Sequence, residues 1–195
     1  MEVDSMKHGS RYYIPRDQFH IIDRPEIQPY IDKAPGDDFR FAVATAWLTG
    51  MRISEIVDLK QGNFSVQEHD QSLTINYQSK KHGRKGAPSF LWTDPFVSEI
   101  VLPYFRKAEG ERRDRLLIRT TTRRYQQLLQ KLNKELHGSE ESRFITFHQM
   151  RHSRITYLVQ VLQATIPEVM GFTGRATVPN EYMILQQTAK FRGRF

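Results

Sequence analysis

The chain has 195 residues, no cysteine, 38% apolar residues and a net charge of +7. Its size suits one domain, the missing thiols exclude disulfides and cysteine metal sites, and no run approaches the roughly 20 apolar residues of a membrane-spanning helix. The N-terminal MEVDSMKHGS lacks the apolar stretch of a secretory signal, and 29 Lys and Arg against 22 Asp and Glu favour a polyanionic partner, because phosphate contacts release condensed counterions.

In chain order, residues 1–20 are polar and aromatic without a clear period, so 1–35 reads as an N-terminal arm or linker and 36–195 as the domain. A short helix is predicted over residues 26–32, crowded by Pro25 and Pro29. Asp37 or Asp38 can cap the next helix, whose Phe39, Ala42, Val43, Ala46 and Trp47 recur at the spacing of one buried face. Gly50 ends it, since glycine takes positive φ without steric cost. Another helix follows with Ile53, Ile56, Val57 and Leu59 inward. Leu73, Ile75 and Tyr77 alternate with polar neighbours, which is the period of a half-buried strand. SKKHGRKGAPS makes a basic turn, residues 90–92 return, and residues 64–66 supply a third strand. Thr93 or Asp94 caps a helix to about Lys107, EGERRDR is a charged loop, and Thr120 or Thr121 caps a helix to about Leu136. Residues 148–160 form a helix with Ile155, Leu158, Val159 and Leu162 inward. Residues 165–168 are a capping box, Gly171 and Gly174 bracket a loop, and Pro179 starts a last helix. The expected fold is α+β, mainly α-helical with one small antiparallel β-sheet.

Several side chains suit phosphate chemistry. Arg52 sits on a corner between two apolar helices; such an arginine is ordinarily just solvated, but this one is rigidly held. Glu55, three residues on, shares its face and can orient the guanidinium, a planar fork suited to bidentate phosphate binding. His148 and Arg151 lie one helical turn apart and so point the same way, although H-x-x-R also fits a solvated face. His148 and His152 have i, i+4 spacing, but no Glu follows His148 and no third ligand is apparent, so no metal site is expected. Tyr182 lies beyond the glycines, flanked by Asn180 and Glu181; a tyrosine in an amphipathic helix is ordinarily core, but this position is presentable. Lys80, Lys81, His82, Arg84 and Lys85 crowd the hairpin tip, either as a solvated turn or as a contact for nucleic acid. Two arginines, a histidine and a late tyrosine can together hold a phosphodiester and attack it without a metal.

These segments resemble the catalytic domain of the tyrosine recombinases, the phage-integrase family, over roughly residues 36–190. Thr49-Gly50-Met51-Arg52-Ile53-Ser54-Glu55-Ile56 is similar to the family's Gly-x-Arg-x-x-Glu segment, QSKKHGRK to its lysine hairpin with Lys80 as first choice, and His148, Arg151, His152 and Ser153 to its H-x-x-R-H-S. Tyr182 falls where the family has its nucleophile. Met170-Gly171-Phe172-Thr173 departs from the pattern, which has Leu-Gly followed by histidine or tryptophan. Phe172 cannot donate to a phosphate oxygen; Thr173 could, with the loop shifted by one residue.

The resemblance implies a recombinase that uses neither metal, cofactor nor ATP. Tyr182 would attack the scissile phosphorus, Arg52 and Arg151 would hold the phosphate, Lys80 would protonate the leaving 5′ oxygen, and His148 would act as base or hydrogen-bond donor. Glu55 and Thr173 would support them. Lys81, Arg84, Lys85, Arg123, Arg124 and the arginines of residues 112–115 are candidate DNA-backbone contacts, which position without reading sequence. The implied partner is double-stranded DNA, bound as a homo-tetramer, with a monomer when DNA is absent and no membrane association. The implied location is the cytoplasm, at the nucleoid, or the host-cell cytoplasm for a viral chain. Most members carry a helical DNA-binding domain first, and residues 1–35 are too short for one. The chain is therefore either an excised catalytic domain or akin to the small fimbrial phase-variation recombinases. Two alternatives stand: a type IB topoisomerase, which religates the same strand, and a non-catalytic DNA-binding relative, favoured by Phe172.

Overall fold

The computed structural model describes residues 20–79, 83–108 and 112–174. Its seven α-helices are α1 (Arg24–Asp32), α2 (Asp37–Thr49), α3 (Ile53–Ile56), α4 (Leu102–Lys107), α5 (Thr122–His137), α6 (Phe147–Gln160) and α7 (Ile166–Thr173). Helix α2 is the hub. The stripe read from its sequence understates its burial, because Phe41, Ala44, Thr45, Leu48 and Thr49 are buried along with Phe39, Ala42, Val43 and Ala46. Helices α1, α3 and α6 pack around it. Gly36 precedes it without a side-chain cap, so Asp37 and Asp38 occupy its first turn and not the cap. Carboxylates there suit the helix dipole, and they tie down α4: Lys107 pairs with Asp37 at 2.6 Å, and the Tyr104 hydroxyl donates to Asp38 at 2.7 Å.

Part of the segment expected as a linker belongs to the core. Ile22, Ile27, Tyr30 and Ile31 are buried in the same cluster as α2. Asp23 and Glu26 cap α1 reciprocally, and Pro25 stands in the first turn, where no N–H partner is needed. The Tyr30 hydroxyl, pushed up to about 12 by burial, donates to Asn133 of α5 at 2.6 Å.

The strands are β1 (Phe64–Gln67), β2 (Ser72–Ile75), β3 (Tyr77–Gln78), β4 (Lys85–Gly86) and β5 (Ser89–Leu91). They form a three-stranded antiparallel sheet, β1-β2-β5, and a separate pair, β3-β4, where one sheet was expected. The register runs on between the two, Thr74 opposite Ser89 and Tyr77 opposite Gly86. The ladder is interrupted where Pro88, which has no N–H to donate, faces the β2–β3 junction; its carbonyl still accepts from Ile75 at 3.0 Å. Before α4 the helix opens into a π-turn, Val97–Val101, with the Leu102 N–H reaching back to the Val97 carbonyl. Pro103, in the first turn of α4, cannot supply the regular bond there.

Two expectations fail at the C-terminal end of the described chain. Leu162 lies beyond α6 and is 55% exposed. Residues 171–173 are not a loop: α7 continues to Thr173, and Gly174 alone ends it at φ +59°. Among the described residues no helix is long and apolar enough to cross a membrane.

Candidate active site

The centre is built at the corner between α2 and α3. Gly50 ends α2 at φ +64°. A side chain there would also press on Arg154, whose Cβ would lie 3.2 Å from the added carbon, so the glycine lets α6 approach. That approach brings Arg151, 2% exposed, beneath the corner, where its Nη1 donates to the Gly50 carbonyl at 2.5 Å. Arg52 begins α3. Its backbone N–H donates to Glu55 Oε2 at 2.8 Å and its Nη1 to Glu55 Oε1 at 2.9 Å.

Glu55 is 3% exposed and serves both arginines, because its Oε2 also lies 3.8 Å from Arg151 Nη1. One buried carboxylate therefore sets the spacing of two guanidiniums from distant parts of the sequence. Arg52 is the more accessible, with 30% of its side chain exposed.

The hairpin closes one side of this centre. Arg52 Nη1 donates to Ser79 Oγ at 3.4 Å. Ser79 in turn closes the hairpin base, its N–H on the Arg84 carbonyl and its carbonyl taking the Gly83 N–H, each at 2.8 Å. Tyr77, read from sequence only as an inward strand residue, is 6% exposed. Burial pushes its hydroxyl far above the ordinary tyrosine range; the Glu55 charge adds to this, and Arg151 and Arg52 oppose it. Its ring covers Gly86, where a Cβ would come within 2.6 Å of a ring carbon.

Helix α7 closes the other side. The Thr173 carbonyl accepts from Arg151 Nη2 at 3.4 Å. Its hydroxyl, suggested as a phosphate donor, donates back to the Val169 carbonyl at 2.6 Å. Gly174 fits against the hairpin, with an added Cβ meeting Arg84 O, Gly86 N and Ser79 Cβ at 3.4 Å. Phe172 packs edge-on against Phe90, with ring centroids 5.9 Å apart. The Arg154 guanidinium lies 5.2 Å from its ring, and burial lowers the pKa of that arginine.

The H-x-x-R pair does not share one environment. Arg151 is buried while His148 is exposed, and His148 pairs with His152 at 2.6 Å between their Nε2 atoms. Arg84 and Lys85 are exposed at the hairpin base. Arg123 and Arg124 are exposed on the first turn of α5; among the described residues, their side chains make no hydrogen bond to the arginine centre. The backbone of residues 113–115 is docked, its carbonyls accepting from Gly62 at 2.9 Å and Gln61 at 3.1 Å. Lys80, Lys81 and Tyr182 lie outside the described residues.

A mainly helical domain with a small antiparallel sheet matches the catalytic-domain fold of tyrosine recombinases. The chain belongs to the Phage integrase family, whose profile matches residues 27–188. The fold is similar to that of the XerH site-specific recombinase, solved bound to its difH substrate as a pre-cleavage complex. The TM-score is 0.59 at 19% identity, covering 85% of this chain and 50% of that one. It is likewise similar to XerA recombinase, with a TM-score of 0.59 at 18% identity, covering 89% of this chain and 65% of that one. The chain thus spans about half to two-thirds of the length of these proteins. No curated protein matches it in sequence.

Proposed function

We propose that the chain is a site-specific DNA recombinase that cleaves and rejoins strands through a 3′-phosphotyrosyl intermediate, without metal or ATP. The observation that carries this reading is Glu55, buried between Arg52 and Arg151 at the foot of a basic hairpin. A fixed pair of guanidiniums is suited to a phosphodiester and to the added charge of its pentacoordinate transition state. Of the Arg151 contacts described above, the one to the Thr173 carbonyl is the longest hydrogen bond, at 3.4 Å. A phosphate oxygen would take its place.

Tyr182 would supply the nucleophile. It follows Gly174 by eight residues, a reach of at most about 28 Å. Ionising a free tyrosine at pH 7 costs about 4 kcal/mol, a cost the arginines and His148 would reduce, His148 taking the proton or donating to the phosphate. The Tyr182 oxygen would bond to phosphorus as the bond to the 5′ oxygen breaks, and Lys80, the neighbour of Ser79, would protonate that oxygen. Attack by a 5′ hydroxyl of a second strand would release Tyr182. Arg84 and Lys85 would contact the DNA backbone beside the centre, and Arg123 and Arg124 would do so further off. The proposed catalytic unit takes in α1. It works as four protomers on two duplexes and is a monomer without DNA.

The test is incubation with nicked suicide duplexes of randomised sequence. The expected result is a detergent-resistant protein–DNA adduct, absent in Tyr182→Phe. Holliday junctions formed between two duplexes separate a recombinase from a type IB topoisomerase. The packing of Phe172 favours one other reading, a non-catalytic DNA-binding relative; binding to duplexes without any adduct would establish that and exclude both enzymes.

A further inference from the structure

We infer that the cavity between α2, α6 and residues 21–24 is a binding site for a small aromatic carboxylate, held by Arg154. The cavity measures about 300 Å³, the size of a compact ligand site. Ile22, Trp47, Leu48 and Phe90 form apolar walls, and the charged groups on its lining are Arg24, Asp94 and Arg154. Two guanidiniums against one carboxylate leave the lining with one positive charge in excess.

The excess charge sits on Arg154. Both oxygens of Asp94 are taken: Oδ2 accepts from Arg24 Nη2 at 2.9 Å, and Oδ1 from the Phe96 N–H at 2.8 Å. Among the described residues no acceptor or carboxylate pairs with Arg154, and its Nε is shut off from solvent without a hydrogen bond. Its guanidinium lies among three rings, 5.0 Å from Tyr157, 5.2 Å from Phe172 and 5.9 Å from Phe90. Ring faces attract the cation but offer no acceptor to its N–H groups, which lie in the guanidinium plane. An arginine left in this state lowers stability, and a carboxylate at its terminal nitrogens supplies the missing charge-assisted bonds. The walls choose the rest of the ligand. A flat apolar body displaces water from Trp47 and Phe90, whereas a bare inorganic anion leaves those walls unfilled.

The site adjoins the arginine corner without sharing its ligands. Arg154 is one turn along α6 from Arg151, and its Cβ would lie 3.2 Å from a carbon added at Gly50. The binding does not rest on the recombinase reading, and its test needs neither DNA nor strand cleavage.

The probe is 2-naphthoate, titrated into the whole chain and followed by calorimetry and by the tryptophan indole N–H resonances. The expected result is one saturating event with a Kd of about 1 mM or tighter, the affinity of an efficient ligand of this size. The Trp47 resonance, assigned with Trp92→Phe, should shift, and that of Trp92 should not. The uncharged 2-naphthamide should bind at least about tenfold more weakly. So should naphthoate to Arg154→Met, which keeps the apolar stem. Without ligand, Arg154→Met should melt at or above the wild-type temperature, because it removes an unpaired charge from the interior. A naphthoate Kd weaker than about 1 mM, or equal affinity for acid and amide, overturns the proposal. A lower melting temperature for ligand-free Arg154→Met also overturns it, because the three rings then satisfy the cation. Displacement of naphthoate by inorganic phosphate or by duplex DNA makes Arg154 a phosphate contact and overturns it as well.

Discussion

Two guanidiniums lean on one carboxylate at Glu55, so its removal leaves like charges facing each other, one of them buried. Breaking a buried ion pair from one side costs about 3–5 kcal/mol. Glu55→Ala is therefore expected to lose stability on that scale in urea unfolding, and Glu55→Gln, which keeps a hydrogen-bond acceptor, distinctly less. A Glu55→Ala loss within about 0.5 kcal/mol, the range of an ordinary surface substitution, would show that Ser79 holds Arg52 and the Gly50 and Thr173 carbonyls hold Arg151 without it. Half of this arrangement was legible beforehand. Arg52 and Glu55 stand on one helical turn, and their pairing follows from spacing. The tie to Arg151 comes from α2 packing on α6, and no spacing of residues 96 apart in the chain states it. The same limit hid the burial of Arg151. At Thr173 the sequence did not show the helix: a hydroxyl counted as a donor in a loop is bonded to the Val169 carbonyl once that loop is a helix.

Helix α7 shows why the loop was expected. A glycine inside a helix costs about 1 kcal/mol relative to alanine, so Gly171 reads as a breaker. The Thr165–Glu168 cap and the burial of Val169 and Thr173 override it and carry the helix to Gly174. The Gly174 position combines a left-handed backbone with contact against the hairpin. Gly174→Ala is accordingly expected to destabilise the docking of α7 by about 1–2 kcal/mol, seen as faster hydrogen exchange in α7 and the hairpin base with α2 unchanged. Uniform change across the molecule, or none, would mean that the α7 end does not brace the hairpin as a unit. The strands were easier to read, because alternation at Leu73, Ile75 and Tyr77 is local. The split into two ladders was signalled by Pro88, whose partner emerges only with the register.

At the scale of the whole molecule, the excess of basic residues pointed to a polyanion without saying where it lies. The fold places Arg84 and Lys85 at the hairpin base, beside Ser79 and hence Arg52. If the DNA backbone runs there, Arg84→Ala with Lys85→Ala should flatten the plot of log affinity against log salt by about 1–2 units. Fluorescence anisotropy over a potassium chloride series measures it, and an unchanged slope would put the DNA elsewhere. The chain as a whole carries +7, but its centre is more nearly balanced. Two guanidiniums sharing one carboxylate leave a single uncompensated positive charge. A phosphodiester arrives with one negative charge, so the resting complex would be locally neutral. A pentacoordinate phosphorane carries a second negative charge, which draws more strongly on the two guanidiniums than the substrate does. On this reading the arginine corner is neutralised by the substrate and overdrawn by the transition state, and the excess charge is relieved by protons delivered from the hairpin and from α6.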